Sequence, residues 1–239
     1  EDPYLGAKIA AATVRGYQGD NLAANNTIAA CVKHFAAYGA GESGRDYNTV
    51  DMSERTLREF YLPAYKACID AGVKMLMTAF NSLNGLPATV NPLLMKQILR
   101  EEWGYDGAVM TDWGAGYDAS AIVASGNDMI QPGSDTHYKR IVASVKDGSL
   151  SMEAVDKAVE NILKLVVKSP RFSSYAYSNK PDLENNAKVA RQAAAEGMVL
   201  LKNDKNTLPL GAQEVVSLFG VASYSFLTGG TGSGDVNGS

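Results

Sequence analysis

Metal-ligating side chains are scarce in this sequence. Its 239 residues include two cysteines, Cys31 and Cys68, and two histidines, His34 and His137. Neither cysteine sits in a CxxC pattern, so zinc ligation is not expected. Both lie in apolar stretches, where two buried thiols are expected and a disulfide is the alternative. Two histidines are too few for a transition-metal site, so no metal and no cofactor are expected. Long apolar runs are also missing, and none reaches the roughly 18 residues of a membrane span. Charge of one sign is not in excess: 22 Lys and Arg face 26 Asp and Glu, for a net charge of −4. The basic residues are scattered, so nothing draws the chain to nucleic acid or an anionic membrane.

What is present is ordinary for a globular protein, with 46% hydrophobic and 20% charged residues. The length suits one domain of barrel size or two smaller ones. The chain opens with Glu1-Asp2-Pro3-Tyr4 and no initiator Met, so a natural N-terminus is expected upstream.

Apolar periodicity alternates between two kinds. A helix is expected from Pro3 to Gln18 and a buried strand over Ala29–Phe35, followed by a polar loop to Met52. Ser53 caps a helix that Pro63 kinks and Gly72 ends. Val73–Ala79 reads as a second strand. A loop with Asn84-Gly85 leads to Asn91-Pro92, a cap and first-turn pair for a helix running to Trp103. Gly107–Thr111 is a third strand, a short helix spans Tyr117–Ala124, and Asp128–Ile130 is a short fourth strand. Helices over Thr136–Lys146 and Met152–Lys168 follow, the second capped by Ser151. Strands alternating with helices imply parallel βαβ units. Half of an eight-stranded barrel and a small doubly wound sheet both fit.

After Ser169 the pattern changes. Residues 169–186 read as a linker, Ala187–Met198 as a helix, and Val199–Leu201 and Val215–Val221 as strands. The run Gly229-Gly230-Thr231-Gly232-Ser233-Gly234 lacks the order of a phosphate-binding loop and reads as a loop of a domain just begun. The chain is therefore expected to be a piece, cut at both ends.

Residues able to carry chemistry cluster near strand ends. Asp112 closes the third strand and precedes Trp113, which can offer an apolar platform to a sugar ring. The same position suits a helix cap with a core tryptophan, and spacing alone does not choose. Lys33 and His34 can both donate to hydroxyls, or be a snorkelling lysine and a satisfied core histidine. Glu42, Arg45 and Asp46 lie in the long loop, where a solvated connection is the ordinary reading and the loop's length adds modestly to the case for function.

Ordered motifs narrow these options. Val32-Lys33-His34-Phe35-Ala36-Ala37-Tyr38-Gly39, Asp46-Tyr47-Asn48-Thr49-Val50-Asp51-Met52-Ser53 and Phe80-Asn81-Ser82-Leu83-Asn84-Gly85 come first. Trp103-Gly104-Tyr105-Asp106-Gly107, Thr111-Asp112-Trp113-Gly114 and Ala124-Ser125-Gly126-Asn127-Asp128 follow. In this order the chain resembles glycoside hydrolase family 3, and most of all its bacterial β-glucosidases. Ala193–Asn203 resembles the family's link into a second domain.

The resemblance implies an α/β fold: the C-terminal half of a (β/α)8 TIM-type barrel over 1–168, a linker over 169–186, and the start of an α/β-sandwich domain over 187–239. It implies Asp112 as nucleophile, Lys33 and His34 holding sugar hydroxyls, and Trp113 lining the same subsite. It places Phe80 where many members have a tyrosine whose hydroxyl reaches the nucleophile. It implies retaining hydrolysis of terminal β-D-glucosyl residues from β-glucosides and cello-oligosaccharides. A β-xylosidase and a non-catalytic carbohydrate-binding relative are the alternatives. The loop 36–52 holds no histidine, which speaks against the Asp-His acid/base of the N-acetylglucosaminidases. The acid/base is then expected to be a Glu of the sandwich domain beyond residue 239, with Glu42 the candidate inside the chain. The expected partners are a small β-glucoside and the remainder of its own polypeptide, with a homodimer left open. The resemblance favours a periplasmic or secreted location.

Overall fold

The structure, a computed structural model, describes residues 2–225. The glycine run 229–234 lies outside the described residues. Two units divide the chain, one up to Tyr177 and one from Ser178 onward. Among the described residues no helix is long and apolar enough to cross a membrane.

The first unit begins with α1 (Pro3–Gln18), capped by the Asp2 carboxylate on the Tyr4 and Leu5 amides. Three strands form its sheet: β1 (Cys31–Phe35), β2 (Met75–Thr78) and, after a small hairpin, β5 (Ala108–Thr111). Their order is β1-β2-β5 and both pairings are parallel, with Cys31 opposite Met75 and Met75 opposite Ala108. Parallel neighbours need a crossover, and helices supply it. The first crossover is α2 (Glu54–Thr56), a π turn Leu57–Tyr61, and α3 (Pro63–Asp70). Ser53 caps α2 through the Thr56 amide. Proline has no N–H to give a preceding turn, so Pro63 starts α3 instead of kinking one continuous helix.

The second crossover contains the hairpin β3 (Ser82–Leu83) and β4 (Leu86–Pro87), then a helix Leu93–Glu102 in π form. Asn84-Gly85, read from sequence as part of a loop, is the hairpin turn, with both residues at positive φ. Asn91 caps the helix, its Oδ1 accepting from Leu93 N and Leu94 N. Every residue of β5 is buried, as a parallel strand covered on both faces requires.

The expected fourth strand shrinks to a single parallel bridge, Met110 to Met129. Gln131 N turns away to the Thr111 hydroxyl at 2.9 Å, and Pro132 has no N–H to extend a ladder. Three helices complete the unit: α4 (Ala119–Ala124), α5 (Asp135–Asp147) and α6 (Met152–Val166), the last capped by Ser151.

The core is continuous beneath the sheet. Phe35, Leu76, Val109, Leu57, Leu94, Met95, Ile98 and Leu99 are buried. Each such side chain contributes about 1.5–3 kcal/mol relative to exposure. Buried Gln18 ties α1 to two strands: its Oε1 accepts from Ala30 N and Lys74 N, and its Nε2 donates to Gly72 O. Gly107 admits β5 to this layer, because a Cβ there would sit 2.7 Å from Lys74 O. Both cysteines are free thiols. Cys68 is buried and Cys31 partly so, and burial pushes the Cys31 thiol up to about 11.

The second unit holds α7 (Leu183–Gly197), which starts before the expected Ala187 because Asp182 caps it at Asn185 N. The strands expected over 199–201 and 215–221 do not form. A strand exists only through pairing, and neither segment pairs with another strand among the described residues; the Gly220 and Val221 carbonyls accept from Ser223 N and Tyr224 N in a local turn instead. Asn203 instead closes a loop, with its Nδ2 donating to Leu208 O and its Oδ1 accepting from Leu208 N.

Candidate active site

A parallel sheet aims the ends of its strands at one edge, and ligands bind in α/β folds outside that edge. Here the edge carries Ala36, Phe80-Asn81 and Asp112-Trp113. Asn81 is fully buried, and its Nδ2 donates to Ala36 O at 3.3 Å, joining the β1 and β2 exits.

Asp112 and His34 meet here. His34 Nε2 is 3.1 Å from Asp112 Oδ2, with the side chains 23% and 15% exposed. The other carboxylate oxygen, Oδ1, accepts the Trp113 backbone N–H at 2.7 Å. Both oxygens are therefore held, one by an imidazole and one by backbone. Burial pulls the His34 pKa below its ordinary value; Asp112 opposes this, Lys33 adds to it and Asp46 opposes it. A carboxylate oxygen accepts, so the contact is His34 Nε2–H donating to Asp112 Oδ2.

The turn bearing Asp112 is anchored from behind. Thr111 N donates to Met129 O, Gly114 N to Gln131 O, and Ala115 N to Asp112 O. Upstream, the buried Asp128 carboxylate accepts from Val109 N at 2.7 Å and Asn161 Nδ2 at 2.9 Å, and pairs with Arg100 at 3.3 Å. Burial raises the Asp128 pKa, and these donors oppose the rise.

Lys33 lies inside β1 and is exposed; its charge acts on His34 and Cys31. Trp113 is 67% exposed, leaving its ring free for a ligand. Phe80 has no hydroxyl to offer Asp112 and packs between Tyr38 and Tyr47, at 6.0 and 4.9 Å between ring centroids. Glu42, Arg45 and Asp46 stay exposed in the loop after β1. That loop is closed by Glu42 N donating to Thr49 O and Asn48 Nδ2 donating to Glu42 O. Gly41 permits the closure, since a Cβ there would lie 2.8 Å from Arg45 O.

Sequence reasoning did not single out Tyr38. Its hydroxyl donates to Asp46 Oδ1, and its ring meets His34 edge-on at 5.0 Å. Aromatic spacing within the Lys-His motif was the available signal. Asp128 was read only as a strand and motif residue, although a carboxylate in an apolar strand must find buried partners.

A cavity of about 800 Å³ is elsewhere. It lies among the helix Leu93–Glu102, α4 and α6, and none of Lys33, His34, Phe80, Asp112 or Trp113 lines it. No group of three or more His, Cys, Asp or Glu among the described residues is arranged to hold a metal ion.

Comparison with known proteins supplies the context. The family described as "Glycosyl hydrolase family 3 N terminal domain" matches residues 1–165. A periplasmic beta-glucosidase of Salmonella typhimurium is 36% identical, over 92% of this chain and 32% of its own length. An exo-alpha-(1->6)-L-arabinopyranosidase of Bifidobacterium longum is 35% identical, over 91% of this chain and 28% of its own. The structure of beta-glucosidase 3B from Thermotoga neapolitana in complex with glucose superposes with a TM-score of 0.83 at 41% identity, covering 98% of this chain and 33% of that one. The chain thus spans about a third of the length of the relatives it matches.

Proposed function

Since this chain belongs to glycosyl hydrolase family 3, we propose that it carries the nucleophile of a retaining β-glucosidase, and that the nucleophile is Asp112. The supporting observation is the carboxylate's position at the sheet edge, where an imidazole and a backbone amide each hold one oxygen. A nucleophile so held spends little entropy on alignment at the moment of attack.

The proposed reaction has two steps. An Asp112 oxygen attacks the anomeric carbon of a terminal β-D-glucosyl residue. The glycosidic C–O bond breaks, and a carboxylic acid gives its proton to the leaving oxygen. Water then attacks the same carbon, the now ionised acid takes its proton, and Asp112 leaves as a carboxylate. Two carboxyl groups about 5–5.5 Å apart are the geometry of this class. A Glu of a sandwich domain is our candidate for the acid/base, with Glu42 the candidate inside residues 2–225. His34 donates to Asp112 before attack. Lys33 supplies donors and charge for sugar hydroxyls, and Trp113 supplies an apolar face for the ring.

The same premise carries the rest of the reading. Residues 1–168 form part of the catalytic barrel, 169–186 a linker, and 187–239 the start of a sandwich domain. The periplasmic relative supports a periplasmic or secreted location. The arabinopyranosidase relative favours a second reading, a pentopyranosidase, because such sugars lack the hydroxymethyl group of glucose.

Assay of the full polypeptide on aryl β-glucoside, β-xyloside and α-L-arabinopyranoside tests this. We expect kcat/KM for the glucoside to exceed the others by about tenfold or more, the usual worth of one small substituent in a fitted pocket. Preference for either pentoside would replace the glucosidase reading with the second one. Asp112→Asn should cut kcat by roughly 10³-fold or more. Near-normal turnover in that variant removes Asp112 as nucleophile.

A further inference from the structure

The loop after β1 returns on itself and brings a second pair of residues to His34. Ala37 turns the chain at positive φ, and Tyr38–Ala40 forms one 3-10 turn. This sets the Tyr38 ring against the His34 ring, edge-on at 71° between planes. The same ring also meets Phe80, at 6.0 Å between centroids. At its tip the hydroxyl donates to Asp46 Oδ1, an oxygen that also accepts Tyr47 N at 3.0 Å. Tyr38 is therefore fixed at three points: two rings and one carboxylate.

A histidine ring donates from Nε2 to a chosen acceptor in only one of its rotations about the Cβ–Cγ bond. Rotated by half a turn, a carbon replaces Nε2 and the bond to Asp112 is lost. Tyr38 is the aromatic neighbour of His34 among the described residues, so it is placed to select the rotation.

We propose that Tyr38 and Asp46 are positioning residues of the reaction: Asp46 fixes Tyr38, and Tyr38 fixes the His34 ring that donates to Asp112. Neither needs to touch the sugar. The inference rests on the reading of Asp112 as nucleophile.

A double-mutant cycle in the full polypeptide tests it, read as kcat/KM on dinitrophenyl β-glucoside. This leaving group needs little protonation, so weak variants stay measurable. Tyr38→Leu should lower kcat/KM about tenfold when His34 is present, and less than about twofold in a His34→Ala background, because coupled neighbours are not additive. Tyr38→Phe keeps the ring but releases Asp46, and should lose about threefold. Asp46→Asn retains an oxygen that can accept both bonds, and should recover most of what Asp46→Ala loses.

A purely structural Tyr38 gives equal losses in both backgrounds, and that result overturns the proposal. So does an unchanged kcat/KM in Tyr38→Leu, or an Asp46→Asn as impaired as Asp46→Ala. Failure of the underlying reading looks different: the unsubstituted polypeptide would not hydrolyse the glucoside, or Asp112→Asn would hydrolyse it normally.

Discussion

His34 Nε2 stands 3.1 Å from Asp112 Oδ2, and the imidazole is the donor. An Nε2–H donates in the neutral and the charged ring alike, and burial shifts the balance to the neutral form by holding the His34 pKa below its ordinary value of 6.5. The linkage follows from the sign of that shift. The unfolded chain takes up the proton first as pH falls, so the neutral folded ring contributes fully above 6.5 and loses its contribution below it. His34→Gln removes the titration. The difference in unfolding temperature between the two proteins should therefore shrink from about pH 8 to about pH 5. A difference that stays constant with pH would show that His34 is not held neutral by the fold.

Asp128 is the buried anchor behind the strand that ends at Asp112, with its side chain 3% exposed. In Asp128→Asn, an amide N–H must face one of the donors now bound to the carboxylate, and Arg100 loses its counter-charge. Breaking such a pair costs about 3 kcal/mol. Denaturant titration should register that loss, and a variant as stable as the original would show that the network adds nothing net.

Asn91 has two tasks. It caps the helix Leu93–Glu102, and its Nδ2 donates to Leu83 O at 3.3 Å, fastening the hairpin β3–β4. Asn91→Ala should lower stability by about 1–2 kcal/mol, the usual worth of a cap. Thermal unfolding reads this directly, and an unaltered midpoint would refute the capping role.

Glu42→Gln addresses the acid/base. With the catalytic acid in a sandwich domain, the variant should hydrolyse a poor-leaving-group glucoside within about twofold of the original rate. A loss of about 10²-fold or more, recovered with a dinitrophenyl leaving group, would assign the role to Glu42.

The elements legible from sequence are those that local chemistry determines. The caps at Ser53, Asn91 and Ser151 act as their side chains suggest. The apolar runs ending near Phe35, Ala79 and Thr111 become β1, β2 and β5. What was not legible depends on partners far along the chain. Asp128–Ile130 has strand composition, yet Gln131 finds the Thr111 hydroxyl and the ladder stops at one bridge. Val199–Leu201 has strand composition too, but pairing is not a property of a segment alone. At the site, strand-end position brought attention to Asp112 and His34, while the Tyr38–Asp46 bond depends on how an eight-residue separation closes in space. Ordered motifs bridged part of that gap, because they carry the residues that such closures bring together.

The central claim is that Asp112 attacks the sugar. Incubation of the full polypeptide with an activated 2-deoxy-2-fluoroglucoside traps the glycosyl-enzyme, because fluorine slows its hydrolysis, and peptide mass spectrometry locates the adduct. The predicted result is one fluoroglucosyl group on the peptide containing Thr111-Asp112-Trp113, absent in Asp112→Asn. An adduct on another carboxylate, with Asp112 unmodified, would contradict the account.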